Sequence, residues 1–145
     1  MLSGKIVSLS RQKEVRGVSK YMKEITLIEN VGIEGNVFQG GNRQVCVFSS
    51  EAHKWMQEQS TPGLCFKHFS ENILTEGFPL DALDLGDMMA FGDARLQVSE
   101  KKPCFDECEL RSNHLPCKLS ENAFFATVEK GGVVKLEDKV YTVDK

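Results

Sequence analysis

Long hydrophobic runs are missing from this 145-residue chain: no stretch approaches the roughly 18 consecutive apolar residues of a membrane-spanning helix. The opening segment M-L-S-G-K-I-V-S-L also lacks the signal-peptide order of charged start, long apolar core and cleavage site. A cytoplasmic protein with no membrane partner is the expectation. Positive charge is not in excess either, with 18 Lys and Arg against 21 Asp and Glu, a formal net charge of -3, and no basic face stands out along the chain. That balance argues against nucleic acid as the main partner. No H-E-x-x-H, G-x-S-x-G or P-loop pattern occurs, so common hydrolase and nucleotide chemistry has no support. The glycines between Gly32 and Gly41 lack the G-x-G-x-x-G spacing and strand-to-helix setting of a dinucleotide loop, and read as turns. With no internal repeat, low-complexity segment or linker, the length fits one domain spanning residues 1–145.

Patterning predicts more strand than helix. Lys5 to Ser10 reads as a short mixed strand, and Glu24 to Ile28 alternates, with Ile25 and Leu27 on one face and Thr26 and Ile28 on the other. The R-Q-K-E-V-R-G-V-S-K stretch between them reads as a polar loop. Arg43 to Phe48 is rich in β-branched and aromatic residues, which predicts a well-buried strand. S-E-A-H-K-W-M-Q-E-Q, residues 50–59, is the clearest helix, with Ser50 placed to cap its amides, Glu51 at its positive end, and Ala52, Trp55 and Met56 on one face. Asp87 to Phe91 and Ala94 to Ser99 flank Gly92-Asp93, a link suited to a hairpin because glycine tolerates positive φ. Phe124 to Glu129, Lys130-Gly131-Gly132 and the final V-V-K-L-E-D-K-V-Y-T-V suggest a second hairpin and a closing strand. Short strands at close spacing with few helices predict a mainly β fold, a barrel or sandwich with small helical additions.

Five cysteines, Cys46, Cys65, Cys104, Cys108 and Cys117, are an odd number in a chain without an export signal, so thiols are the expected state. Cys104 follows Pro103, whose fixed φ and missing amide oppose a helix interior, which places the cysteine on a loop after the strand ending near Ser99. Lys101 and Lys102 favour its thiolate, while Asp106, Glu107 and Glu109 oppose it. Cys104, Cys108, His114 and Cys117 form C-x3-C-x5-H-x2-C, a set able to surround a tetrahedral zinc, although the first spacing is looser than a tight zinc knuckle. Two core thiols beside one exposed thiol is the blander reading of the same residues.

Taken in order, V-G-I-E-G-N, G-G-N-R-Q-V, S-E-N-I-L-T-E-G-F, L-D-L-G-D, A-R-L-Q-V-S, K-P-C-F-D-E-C and F-F-A-T-V-E-K-G-G resemble a MOSC domain over essentially the whole chain. This is the domain named for the C-terminal part of molybdenum cofactor sulfurase, here of the small, stand-alone bacterial sort. The resemblance implies a MOSC-like β-barrel with a few short helices. It also implies that Cys104 carries sulfur as a persulfide or ligates the molybdenum of a pterin cofactor (molybdopterin). Arg43, Glu71, Asn72 and Asp87 match family positions expected around the cleft, and Cys108 and Cys117 resemble cysteines of the small-protein subgroup. The implied partners are a cysteine desulfurase, to which any pyridoxal phosphate would belong, or molybdenum-cofactor biosynthesis proteins. A molybdenum-dependent reductase of N-hydroxylated compounds and a non-catalytic binding or structural zinc module are the alternatives.

The chain departs from the family pattern at particular places. Relatives have G-D-x-H-A-G where it has Gly35-Asn36-Val37-Phe38-Gln39-Gly40, so a carboxylate and an imidazole are absent. Ser70 stands in place of a glycine, Phe105 in place of a frequent histidine, and Glu137 in place of the glycine of a Gly-Asp pair. Retention of the thiol without those polar neighbours favours sulfur carriage or cofactor binding over demanding acid-base catalysis.

Overall fold

The structure, a computed structural model, describes residues 2–14, 18–58, 71–101 and 122–143. Its elements are β1 (Ser3–Arg11), β2 (Lys20–Met22), β3 (Glu24–Ile28), β4 (Gly32–Ile33), β5 (Val45–Ser49), α1 (Ser50–Gln57), β6 (Ile73–Glu76), a 3-10 turn (Leu80–Ala82), β7 (Met88–Phe91), β8 (Ala94–Lys101), β9 (Ala123–Lys130), β10 (Gly132–Lys135) and β11 (Lys139–Val143). Seven strands follow one another around a closed wall in the order β11-β7-β8-β9-β5-β6-β1, and β1 returns to β11 through the register Ser3 to Tyr141 and Lys5 to Lys139. Closure leaves no bare edge in that part of the sheet. β2 extends β1 beyond the barrel, and β10, β3 and β4 form a separate three-stranded sheet.

Strict alternation builds the interior. Val45 and Val47 of β5, Leu96 and Val98 of β8, and Phe124, Ala126 and Val128 of β9 all point into one buried cluster with Ile6, Leu9, Ile73, Met89, Phe91 and Val140. β3 repeats the pattern on the small sheet: Ile25 and Leu27 join that cluster while Thr26 and Ile28 face out, as the sequence predicts. β5 is buried on both faces, because its outward Phe48 lies under α1 with Ala52, Leu74 and Ala123. A central strand covered on both sides reads as a continuous apolar run, which is the composition of Val45–Ser49.

Several expected boundaries shift. The helix begins at Ser50, but its cap is Ser49, whose hydroxyl accepts the Ala52 N–H at 3.1 Å. Glu51 then reaches sideways, and its carboxylate accepts the Gly77 N–H at 2.6 Å, tying α1 to the end of β6. The Gly92-Asp93 hairpin forms as expected, with Gly92 at φ 58°. β9 and β10, by contrast, do not pair as a hairpin: β10 crosses to β3, setting Val134 opposite Ile25, because Val134 completes the buried face of the small sheet. β11 is the closing strand, paired with both β7 and β1. Among the described residues no helix is long and apolar enough to cross a membrane.

Candidate functional site

β5 turns Cys46 to the outer face of the barrel, where its register partner on β9 is Phe125, and Phe125 in turn faces Glu100 on β8. Simple alternation from Leu96 and Val98 would have sent Glu100 inward. A bulge at Ser99 prevents this: Val98 pairs with Ala126 and Glu100 with Phe125, so two steps along β8 match one step along β9. Such an extra residue re-aims the side chain that follows it. The Ser99 hydroxyl lies against the carbonyl oxygens of Phe125, at 3.0 Å, and of Asn42, joining the bulge to the segment just before β5.

Arg43 occupies that segment. Its guanidinium sits over the Phe125 ring, 4.5 Å from the centroid, and donates from Nε and from one terminal nitrogen to the two Glu100 oxygens at 2.9 and 2.7 Å. The hydrogen-bonded carboxylate of Glu100 raises the Arg43 pKa above its usual value, with burial opposing and the charges of Glu100 and Cys46 assisting. The same contact with Arg43 holds Glu100 below the ordinary carboxylate range. Both side chains stay part-exposed.

Asn72 stands next to Cys46 on the other side. Its Oδ1 accepts the Cys46 N–H at 2.9 Å and its Nδ2 donates to the Ser10 carbonyl at 3.3 Å. Its backbone N–H donates to Cys46 and its carbonyl accepts from Ser10. One residue therefore stitches β5, β6 and β1 together. Ser10 also donates its hydroxyl to the Glu71 carbonyl at 2.8 Å, leaving the Glu71 carboxylate without a hydrogen bond to any described residue.

Asp87 stands just before β7. Its carboxylate accepts the Asp84 N–H at 2.9 Å in the turn before β7, and its carbonyl accepts from Val98. β7 is the neighbour of β8, the strand that carries Glu100, and is three strands from β6 in the other direction. The fold thus gathers Arg43 and Asn72 around Cys46, places Glu71 beside them, and sets Asp87 against β8 just before the Ser99 bulge. Cys104, Cys108, His114 and Cys117 lie outside the described residues, and among the described residues no three His, Cys, Asp or Glu side chains group to hold a metal ion.

Glu100, Phe125 and Cys46 were absent from the expected site. A usable signal was present in L-Q-V-S-E-K, where strict alternation assigns a glutamate to the apolar face, a conflict that a bulge resolves. Asn36, standing in place of a family aspartate, is 5 % exposed. It accepts the Gln12 N–H at 2.9 Å and donates to the Phe38 carbonyl at 3.3 Å, a donation that a carboxylate cannot make. Phe38, standing in place of a histidine, is half-exposed.

A closed seven-stranded wall with a small accessory sheet and a cysteine-bearing segment after β8 defines the class of fold. The family model for the MOSC domain matches residues 34–141, and the chain belongs to that family, one associated with molybdenum cofactor or with sulfur transfer. No curated protein matches the sequence. The chain is similar to solved structures of the YuaD protein from Bacillus subtilis and of YiiM from Escherichia coli. The first is 20 % identical with a TM-score of 0.71, the match covering 96 % of this chain and 94 % of that one. The second is 18 % identical with a TM-score of 0.61, over 97 % and 70 %. At these identities the likeness carries the fold alone.

Proposed function

We propose that this MOSC domain is a sulfur carrier in which Cys104 accepts sulfane sulfur and passes it to a second protein or to a cofactor under assembly. The observation that carries the reading is the family match across residues 34–141, a range that includes K-P-C-F-D-E-C, whose Cys104 we take as the family's characteristic cysteine. Geometry at the root of that segment supports it. Cys104 follows Lys101, the last residue of β8, by three positions, a tether of at most about 10 Å. The strand end it leaves from is pinned by the Ser99 bulge and the Arg43–Glu100 pair.

The chemistry needs only a thiolate and an incoming persulfide. The Cys104 thiolate attacks the outer sulfur of a persulfide on a cysteine desulfurase, the sulfur–sulfur bond there breaks, and the donor cysteine leaves as a thiolate with no net oxidation. Pyridoxal phosphate belongs to that partner. Molybdenum ligation by Cys104 fits the described residues less well. The Asn72 amide is spent on backbone groups, and Arg43 would have to share a pterin phosphate with Glu100.

Mass spectrometry after incubation with a cysteine desulfurase and cysteine should show a gain of one sulfur atom on Cys104, absent from Cys104→Ser. A desulfurase that loads no cysteine of this chain overturns the proposal. Metal analysis of protein made in a cofactor-competent host tests the alternatives: bound molybdenum with reductase activity favours a molybdenum enzyme, and stoichiometric zinc favours a structural module.

A further inference from the structure

The segment R-Q-K-E-V-R-G-V-S-K, residues 11–20, places four cationic residues and one carboxylate within ten positions of a chain whose net charge is negative. β1 runs through to Arg11 and β2 starts at Lys20, and these two residues are register partners. Two cations directly opposite each other on an antiparallel pair destabilise it. Among the described residues no ion pair neutralises them: the pairs are Lys5–Glu137 and Arg43–Glu100, and neither includes Arg11, Lys13 or Lys20.

The Arg11 guanidinium is held in place all the same. It donates to the Glu34 carbonyl at 2.9 Å and lies against Gly35, where a Cβ would stand only 2.7 Å from the same terminal nitrogen. Gly35 has φ 80°, so both its backbone conformation and its missing side chain make room for the guanidinium. The Arg11 Nε is buried without a hydrogen-bond partner. Beside it opens a cleft of about 160 Å³ lined by Arg11, Lys13, Glu14, Val18 and Lys20. The cleft therefore combines a rigidly seated guanidinium, two lysines on flexible stems and a like-charge opposition that an anion would relieve.

We propose that this cleft binds a phosphate dianion, either inorganic phosphate or the end of a phosphate monoester, with Arg11 as the fixed donor and Lys13 and Lys20 closing over it. Glu14 on the rim leaves the lining net positive and disfavours ligands without a concentrated negative charge. The site depends on no feature of the Cys104 segment, so it stands or falls separately from sulfur carriage.

Titration of the whole chain with inorganic phosphate and with phenyl phosphate, against chloride at matched ionic strength, tests this. Thermal unfolding and amide chemical shifts of β1 and β2 are the readouts. Phosphate should raise the melting temperature and move the signals of residues 11–14 and 18–20, while chloride should do neither. Lys20→Gln, on an exposed side chain, should weaken binding about tenfold or more, and Arg11→Gln at least as much. Lys20→Glu should melt higher than the parent in chloride and lose the phosphate response. Phenyl phosphate binding more tightly than phosphate identifies a monoester ligand; equal binding identifies free phosphate. Equal responses to chloride and phosphate, or unchanged affinity in Lys20→Gln, overturn the proposal even if Arg11→Gln fails to fold.

Discussion

Arg43 and Glu100, 57 residues apart in the chain, meet through two hydrogen bonds while the Arg43 guanidinium covers the Phe125 ring between them. Solvent screens this part-exposed pair, so the ion pair contributes no more than about 1 kcal/mol and the ring contact about 0.5–1 kcal/mol. Arg43→Ala should therefore cost about 1–2 kcal/mol in urea unfolding. Arg43→Lys should fall between parent and alanine, because a lysine keeps the charge but not the two-point geometry.

Acid should weaken the fold through two carboxylates. Arg43 holds Glu100 below its usual pKa. For Glu51, burial pushes the pKa up, but hydrogen bonds from the Gly77 N–H, its own N–H and the Ser49 and Ser50 hydroxyls outweigh it and leave the group lowered. A folded pKa below the unfolded one gives stability that is complete above the ordinary carboxylate range and lost as pH falls through the lowered folded values. Urea midpoints between pH 6 and pH 3 should fall across that window, and Glu51→Gln with Glu100→Gln should flatten the fall. An unchanged slope in the double variant would contradict these assignments.

Restoring the family aspartate at Asn36 should destabilise this chain. The Asn36 amide donates to the Phe38 carbonyl, and Asn36→Asp would set a carboxylate against that carbonyl in a buried position, at a cost of about 1–3 kcal/mol. Phe38→His, on a half-exposed side chain, should change stability by no more than about 0.5 kcal/mol. Paired denaturation curves check both, and a neutral Asn36→Asp would mean that the loop repacks around the charge.

Glu137 carries φ 73° where the family pattern has glycine. A left-handed conformation costs a side-chain-bearing residue roughly 1 kcal/mol, more than the exposed Lys5–Glu137 contact at 3.3 Å returns. Glu137→Gly should raise stability by about 0.5–1 kcal/mol in urea unfolding, whereas Glu137→Ala, which loses the contact and keeps the strain, should not.

Local pattern made much of the fold legible. β3 runs over the five residues that its alternation marks, and the Gly92-Asp93 link turns where glycine is needed. The cap of α1 moved back by one residue, from Ser50 to Ser49, because the two serines are equally good caps by type and only the Ala52 N–H selects between them. The site was less legible. Arg43 and Asn72 do adjoin Cys46, but Glu100 was hidden because a bulge changes facing without changing composition.

The sequence by itself determined the mainly β character and the positions of most strands, because period-two burial and turn chemistry are written within a few neighbouring residues. Tertiary structure alone decided which strands pair. β10 leaves β9 for β3, β11 closes on β1, Ser99 turns Glu100 out to Arg43, and Lys20 is set opposite Arg11. Those outcomes depend on hydrogen-bond register between distant segments, which is selected by the burial of one shared core and leaves no mark on any short stretch of chain.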